Sequence, residues 1–348
     1  MYTAYLKFLK FHLRACKFTQ CLPLEFDKRS GRVILTKNGF VFFSLFFFCC
    51  IQRWNWNLDI SGIQMFNSFL DYEKYVLVDN QPPLLTLGAK MMRIFIPTAE
   101  FSLPVIVLLL FSLLTYAPCT APFIVSMQQY CNNGMQFSAV RLTLHLFEAW
   151  MVWHILMAGG TWIIYAFLTG VVAILSIVGI LEGKIKTIQT EANMNSCIKF
   201  YQRIQILQTL MNSFLRDRLL PVMMLFVPGI QVIAQYVTID HHSDITMPGF
   251  LIFPLIGLNC GANNVLAFTL ASFVNSGSEK VMATLRKKSS QLRGKKALMK
   301  RQLRGCTALQ VKFGSNYIDR GTPLVVQTFC INQTASLTLI KEGKSIRY

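Results

Sequence analysis

The stretch "TWIIYAFLTGVVAILSIVGIL", residues 161–181, contains no charged side chain. It is long enough to cross a lipid bilayer, which requires about 20 predominantly apolar residues in a helix. The apolar run to which it belongs starts near residue 144 and is interrupted by Gly159 and Gly160. Because this run is too long to lie entirely within hydrocarbon, we predict that its transmembrane part covers residues 150–181.

The composition of the whole chain agrees with a membrane location. Of the 348 residues, 53% are hydrophobic and only 14% are charged, which is too much apolar surface for a soluble domain to bury. The net charge of +18 does not indicate nucleic-acid binding, because the basic residues lie between the apolar runs. The ten cysteines form no CxxC pair, so neither a zinc site nor a disulfide scaffold is indicated.

The pattern of apolar runs predicts an all-α fold, a polytopic membrane helical bundle with a cytoplasmic N-terminus. Six transmembrane helices are evident, at residues 39–56, 94–117, 150–181, 219–239, 249–275 and 322–341. The intervening segments are 1–38 (cytoplasmic), 57–93 (a loop or cytoplasmic helix), 118–148 (outer loop), 182–218 (cytoplasmic helix), 240–248 (outer loop) and 276–321 (basic and cytoplasmic). Within the first segment, apolar side chains at helical spacing from Tyr2 to Leu13 predict a short helix at a membrane surface, with a solvated tail as the alternative.

Charge sets the orientation of this bundle. The segments 182–218 and 276–321 are rich in Lys and Arg, which places both in the cytoplasm. The link 240–248 contains no Lys or Arg and therefore faces outward. Its His241 and His242 lie beside two acidic residues, but without a fixed ligand spacing, so we expect a solvated turn and no metal site.

Few ionisable residues lie close to the apolar runs. Arg141, His145 and Glu148 are spaced so that a helix places them on one face, at the outer mouth of the third span. Helix packing and contact with a ligand both remain open for this cluster. The sequence contains no arrangement of carboxylates, HExxH motif or serine with a neighbouring base that would indicate catalysis. We therefore expect no enzymatic activity, no catalytic residue and no cofactor.

Two stretches resemble a known family. "LLTYAPCTAPF" at 113–123 and "LRGCTALQVKFGSNYIDRGTPLVVQTFCINQTASLTLI" at 303–340 are similar to gustatory and odorant receptor-like chains of springtails, within the seven-helix arthropod chemoreceptor family. The resemblance implies a tetrameric cation channel gated by chemical ligands, with the last helix lining a shared pore. It also implies that residues 185–218 and 280–321 pack as a cytoplasmic anchor. The Thr-Tyr and Gln-Phe pairs of the family's last helix are replaced here by Thr328-Phe329 and Ala335-Ser336.

The last predicted helix has chemistry that suits this use. Each amide in it costs free energy in hydrocarbon unless it finds a partner or water. At 100° per residue, Gln327 and Thr334 fall on one stripe, and Thr328 and Asn332 on another roughly 140° away. Polar groups on two faces indicate two environments, neighbouring helices and a water-filled pore, and both interpretations are open for any single residue. The pore-lining candidates are Gln327, Thr328, Asn332, Gln333 and Ser336.

The same resemblance implies a ligand cavity that opens outward among the second to sixth helices. The candidate ligand contacts are His145, Glu148, Trp153, Tyr165 and Tyr236. Aromatic side chains in a membrane bundle also serve in packing, which is the alternative for each of them.

The resemblance therefore predicts a chemosensory receptor of the gustatory or odorant type, acting as a ligand-gated cation channel in the cell membrane. Its partners would be the bilayer, a small-molecule ligand and related receptors in a homo- or hetero-tetramer. One alternative is a non-conducting product of a truncated or mis-assembled gene. A G-protein-coupled receptor is a minor alternative, because it requires an outside N-terminus, whereas residues 1–38 carry eight Lys and Arg against Glu25 and Asp27.

Counting the loops backward from the basic segment 276–321 places the region just before residue 94 inside the cell. With only the span 39–56 before it, the N-terminus would lie outside, against its positive charge. The intervening residues 58–78 carry Asp59, Asp71 and Glu73, too much charge for a lipid-facing helix. We therefore expect six spans and not seven, with a discontinuity near residue 57.

The orientation can be tested by labelling. A cysteine introduced into residues 280–320 is expected to resist a membrane-impermeant thiol reagent in intact cells and to react after permeabilisation, because this basic segment faces the cytoplasm. Rapid labelling of intact cells would invert the predicted topology.

Overall fold

The computed structural model describes most of the chain between residues 6 and 345. The described residues are 6–19, 24–27, 32–35, 60–79, 87–118, 125, 139–240, 242, 245, 247, 249–291 and 296–345. The predicted first span, 39–56, and the predicted discontinuity near residue 57 lie outside them. Six spans in place of seven therefore stays a prediction.

The described residues form ten α-helices and two short hairpins. The helices are α1 (Leu6–Thr19), α2 (Ile60–Asp79), α3 (Leu87–Tyr116), α4 (Ala139–Gly160), α5 (Thr169–Lys186), α6 (Glu191–Phe214), α7 (Leu220–Asp240), α8 (Ile252–Gln291), α9 (Lys296–Arg304) and α10 (Thr322–Ser345). The π-helical segments Thr161–Leu168 and Leu215–Leu219 join α4 to α5 and α6 to α7. The antiparallel hairpins pair β1 (Leu24–Asp27) with β2 (Arg32–Leu35), and β3 (Lys312–Phe313) with β4 (Asn316–Tyr317).

The fold is a helical membrane bundle, as the apolar runs predict. By length and composition, four helices in the described part of the chain can cross a membrane, namely Gly88–Tyr116, Ala139–Lys186, Leu220–Asp240 and Gly249–Gln291. Helix α10 is 24 residues long but falls outside this group, because amide and hydroxyl side chains dilute its apolar residues. Helix α2 also falls outside it, since Asp71, Glu73 and Lys74 lie within it.

Burial distinguishes the helix 139–186 from the other three candidates. About four-fifths of its most apolar window, 78%, is buried inside the chain, whereas only 28% to 33% is buried in the other three. Large side chains on those three helices are exposed, among them Leu108, Leu225 and Leu258. The helix 139–186 is therefore the centre of the bundle, and the others present apolar faces that suit lipid.

Several helices extend beyond the spans predicted for them. Helix α4 begins at Ala139 and not near 150, and α8 continues to Gln291, past the predicted end at 275. The reason is that a helix satisfies its own backbone in water as well as in lipid, so hydropathy marks the hydrocarbon boundary and not the helix end.

A stripe of polar side chains on α6 holds an extended segment of the chain, residues 305–318. Tyr201 Oη donates to the carbonyl oxygen of Thr307 at 2.7 Å, and Gln205 Nε2 donates to the same oxygen at 3.1 Å. One further turn along, Gln208 Nε2 donates to the carbonyl oxygen of Gln310 at 2.7 Å. Burial raises the pKa of Tyr201 above its ordinary value, so its hydroxyl remains a donor.

The next residue of this stripe, Asn212, binds the segment in both directions. Its Nδ2 donates to the carbonyl oxygen of Gln310 at 2.8 Å, and its Oδ1 accepts from the backbone N–H of Lys312 at 3.1 Å. On the opposite side, Ser278 Oγ of α8 accepts from the N–H of Leu309 at 2.9 Å. Side chains therefore take the place of a partner strand for this segment.

The hairpin at the end of this segment turns on glycine. Gly314 has φ +51°, a left-handed value that favours glycine in a two-residue hairpin loop. Its N–H donates to the carbonyl oxygen of Arg216 at 3.0 Å, and Arg216 Nε donates back to the Gly314 carbonyl. The hairpin is thus fastened to the π-helical turn between α6 and α7.

Asp319 starts α10. Its Oδ1 accepts from the N–H groups of Gly321 and Thr322 at 3.0 and 2.9 Å and from Thr322 Oγ1 at 2.7 Å. The hydrogen bonds from the Thr322 hydroxyl and N–H lower the pKa of Asp319. Because its pKa is lowered, the ionised Asp319 carboxylate stabilises the folded chain at pH values above the ordinary Asp pKa. This stabilisation is lost as the pH falls through the pKa that Asp319 has in the folded chain.

We expect Asn212→Leu to destabilise the chain by about 1–3 kcal/mol, because the Lys312 N–H and the Gln310 carbonyl lose a partner in a partly buried place. Thermal unfolding of the detergent-purified chain measures this. Thr209→Ala is the control, since the Thr209 hydroxyl is exposed and bonds only its own helix at the Gln205 carbonyl. Equal melting temperatures for the two variants would contradict the role of the stripe.

Candidate pore and ligand sites

Helix α10 separates the predicted pore candidates into two groups. Thr328, Asn332, Gln333 and Ser336 are exposed on the surface of the chain, whereas Gln327 is half-buried. The Ser336 hydroxyl donates to the Asn332 carbonyl oxygen at 2.8 Å, which satisfies it within the helix. The amides of Asn332 and Gln333 thus lie on a surface of the chain where lipid alone would leave them without a partner.

Gln327 belongs to a chain of amides that links three helices. Asn264 Nδ2 of α8 donates to Gln231 Oε1 of α7 at 2.7 Å. Gln231 Nε2 then donates to Gln327 Oε1 of α10 at 3.1 Å. Gln327 therefore contacts neighbouring helices, which is the packing environment that its position on the helical wheel allows.

Of the cluster predicted near the start of α4, His145 and Glu148 are buried, whereas Arg141 is half-buried. His145 Nδ1 lies 3.8 Å from Glu148 Oε2, and both side chains are more than nine-tenths buried. Neither ring nitrogen of His145 has a hydrogen-bond partner in the described part of the chain. Beyond it, the rings of Trp150 and His154 meet edge to face with centroids 4.2 Å apart. Within the described residues, the His145 ring therefore has unmet hydrogen-bonding capacity in a buried place, and an unpaired buried group costs about 1–3 kcal/mol.

The five ligand-contact candidates do not form one site. Trp153 is half-buried and packs against Met157 on the same helix. Tyr165 is fully buried and lies 20 residues beyond His145 on one continuous helix, which corresponds to about 30 Å along the axis. Tyr236 is half-buried on α7. Of the five, only His145, Glu148 and Trp153 share α4.

The neighbour of Tyr165 is His12, which the sequence does not single out. The two ring centroids are 5.3 Å apart, and His12 is fully buried. Its Nδ1 lies 2.8 and 2.9 Å from the two carboxylate oxygens of Glu100 on α3. Its Nε2 lies 2.7 Å from Thr161 Oγ1 and 3.0 Å from the Met157 carbonyl oxygen. Helix α1 therefore packs against the bundle through His12, and its place at a membrane surface stays a prediction.

Both ring nitrogens of His12 are used in this cluster. Nδ1 faces the Glu100 carboxylate, and Nε2 faces the Thr161 hydroxyl, which also donates to the Met157 carbonyl oxygen at 3.0 Å. A buried carboxylate costs free energy in a low-dielectric site unless it is paired and hydrogen-bonded, so His12 supplies the partner that Glu100 needs there.

Among the residues that the structure describes, no group of three or more His, Cys, Asp or Glu side chains is placed to hold a metal ion.

Comparison with known proteins identifies the fold. No protein-family model and no curated protein matches the chain. In structure the chain is similar to the insect olfactory receptor OR5 from Machilis hrabei, with a TM-score of 0.55 and 9% sequence identity, over 97% of this chain and 98% of the receptor chain. At this identity the likeness is one of fold: the chain is a helical multi-pass membrane protein with the fold of an insect olfactory receptor.

We expect His12→Leu to destabilise the chain by about 3–5 kcal/mol at neutral pH, because Glu100 stays buried without its partner. The double variant His12→Leu/Glu100→Leu is expected to recover much of that loss, since it leaves no buried charge. Melting temperatures of the purified chain report both, with Phe11→Leu on the exposed face of α1 as the control. The single variant Glu100→Leu completes the cycle, and simple addition of the two single losses in the double variant would contradict a coupled pair.

Proposed function

We propose that the chain is a chemosensory receptor of the cell membrane that acts as a ligand-gated cation channel. The observation that carries this proposal is the exposed polar face of α10 in a chain with the fold of an insect olfactory receptor. Asn332 and Gln333 are exposed on a helix whose opposite face packs on α7 and α8. Amides on such a surface are stable where they meet water or a second chain, and a pore shared among subunits supplies both.

In this proposal α10 of each subunit contributes Thr328, Asn332, Gln333 and Ser336 to the pore. Carbonyl and hydroxyl oxygens of this kind replace part of the hydration shell of a cation. The exposed apolar residues of the same helix, such as Leu324 and Ile331, then face lipid or neighbouring subunits. A tetramer with related receptors or with copies of itself would close the pore.

The ligand contacts lie at the outer end of α4. His145 supports this placement, because its buried ring nitrogens have no hydrogen-bond partner in the described part of the chain, and a ligand can supply one. Glu148 and Trp153 add a carboxylate and an aromatic face along the same stretch of helix. A small molecule with both apolar surface and a hydrogen-bonding group fits this chemistry.

The pore assignment predicts that Gln333→Leu changes the single-channel conductance or the relative permeability to sodium, potassium and calcium, because an oxygen ligand is removed from the pathway. Ile331→Leu is the matched control, since Ile331 lies about 160° around the helix from Gln333. Patch recording with a panel of odorants and tastants, together with surface labelling, measures both. Wild-type permeation in Gln333→Leu and Asn332→Leu would contradict the pore assignment, and a silent wild-type chain at the cell surface would contradict the channel.

A further inference from the structure

The amide chain Asn264–Gln231–Gln327 is the polar link between α8, α7 and α10. Asn264 and Gln231 are almost fully buried, at 1% and 2% exposure. Both functional groups of the Gln231 amide are used, its oxygen for Asn264 and its nitrogen for Gln327. The amide chain therefore connects α8 to α10 through a single side chain of α7, Gln231.

Both ends of this chain are unsatisfied. Asn264 Oδ1 and Gln327 Nε2 are buried and have no hydrogen-bond partner in the part of the chain that the structure describes. The Asn264–Gln231 and Gln231–Gln327 hydrogen bonds are thus what holds these three side chains together. If α10 rotates or slides against α7, the Gln231–Gln327 bond breaks and leaves further polar groups unpaired in a low-dielectric setting.

We propose that the Asn264–Gln231–Gln327 chain is a positioning element that fixes the rotation and depth of α10 against α7 and α8. Resting on the channel function proposed above, it thereby sets how readily the pore opens without ligand. Asn264, Gln231 and Gln327 act through α10 and are not themselves pore or ligand contacts. Loss of any one of them shifts the closed–open equilibrium in the same direction.

A second polar contact between α7 and α10 provides a control. Thr334 Oγ1 donates to Gln235 Oε1 at 3.2 Å, one helical turn from Gln231. Like the Gln231–Gln327 bond, it is a side-chain hydrogen bond between α7 and α10. Unlike that bond, it is not connected to Asn264 of α8. Gln235→Met therefore removes an α7–α10 hydrogen bond and leaves the amide chain in place.

The first measurement does not depend on current. Gln231→Met, Gln327→Met and Asn264→Leu keep side-chain size and remove hydrogen bonding. In a melting-temperature cycle on the full-length chain in detergent, Asn264→Leu is expected to lower the melting temperature in the wild-type background. Once Gln231→Met is present, Asn264→Leu is expected to lower it no further, because Asn264 then has no connection to Gln327 through residue 231. Strict additivity of Asn264→Leu with Gln231→Met would show that the chain is not coupled and would overturn the inference.

The second measurement is the ratio of ligand-free to maximal current at equal surface expression. Each of the three variants is expected to change this ratio about threefold in one direction, which corresponds to one interhelical hydrogen bond of average strength in a membrane protein. Asn264→Leu is expected to change it in the wild-type background but not in Gln231→Met. Gln235→Met is expected to leave the effect of Asn264→Leu intact.

The outcomes separate the inference from the channel function. Coupled stability and an unchanged current ratio in a conducting chain would reduce the amide chain to a packing contact and overturn its role in gating. A silent wild-type chain with coupled stability would overturn the channel function, while the fixing of α10 by the amide chain would stand. Coupled effects in both measurements support the whole proposal.

Discussion

The backbone of residues 307–312 must find hydrogen-bond partners, and the position of the last helix depends on where it finds them. This segment is extended and runs against helices, so no neighbouring strand satisfies most of it. Tyr201, Gln208 and Asn212 supply donors and an acceptor at successive turns of α6. Because these hydrogen bonds hold the segment at close intervals, they fix the position of Asp319 and hence the start of α10 at Thr322.

The same requirement operates inside the bundle, where water is excluded. His12 is paired with Glu100, and Gln231 connects Asn264 to Gln327, so these buried polar groups occur in linked sets. Each set joins helices that are distant in the sequence. Polar pairing thus specifies which helices meet, while apolar packing around Tyr165 and its neighbours supplies the bulk of the contact.

The outward face of α10 differs, because in the described part of the chain Asn332 and Gln333 are exposed and meet no other helix. An amide on that face has to be matched by water or by another subunit. The likeness to an insect olfactory receptor concerns the fold, and at 9% identity no residue role follows from it. The proposed pore therefore depends on the chemistry of this face.

Composition and periodicity by themselves determined that this is a helical membrane protein and that the last helix carries polar groups on two faces. These are properties of one helix at a time: an apolar run of about 20 residues must lie in a helix, and 100° per residue sets which side chains share a stripe. They placed Gln327 on a different stripe from Thr328 and Asn332, and the structure separates the same residues.

Tertiary structure alone decided what each face meets. Nothing in the spacing of residues shows that His12 pairs with Glu100, which is 88 residues away, or that Tyr165 lies beside His12 and far from His145. The grouping of Gln327 with Gln231 and Asn264 was likewise invisible, because periodicity defines a face without identifying its neighbour. Pairing between distant segments depends on how the helices pack together, and only the folded bundle brings those atoms within hydrogen-bonding distance.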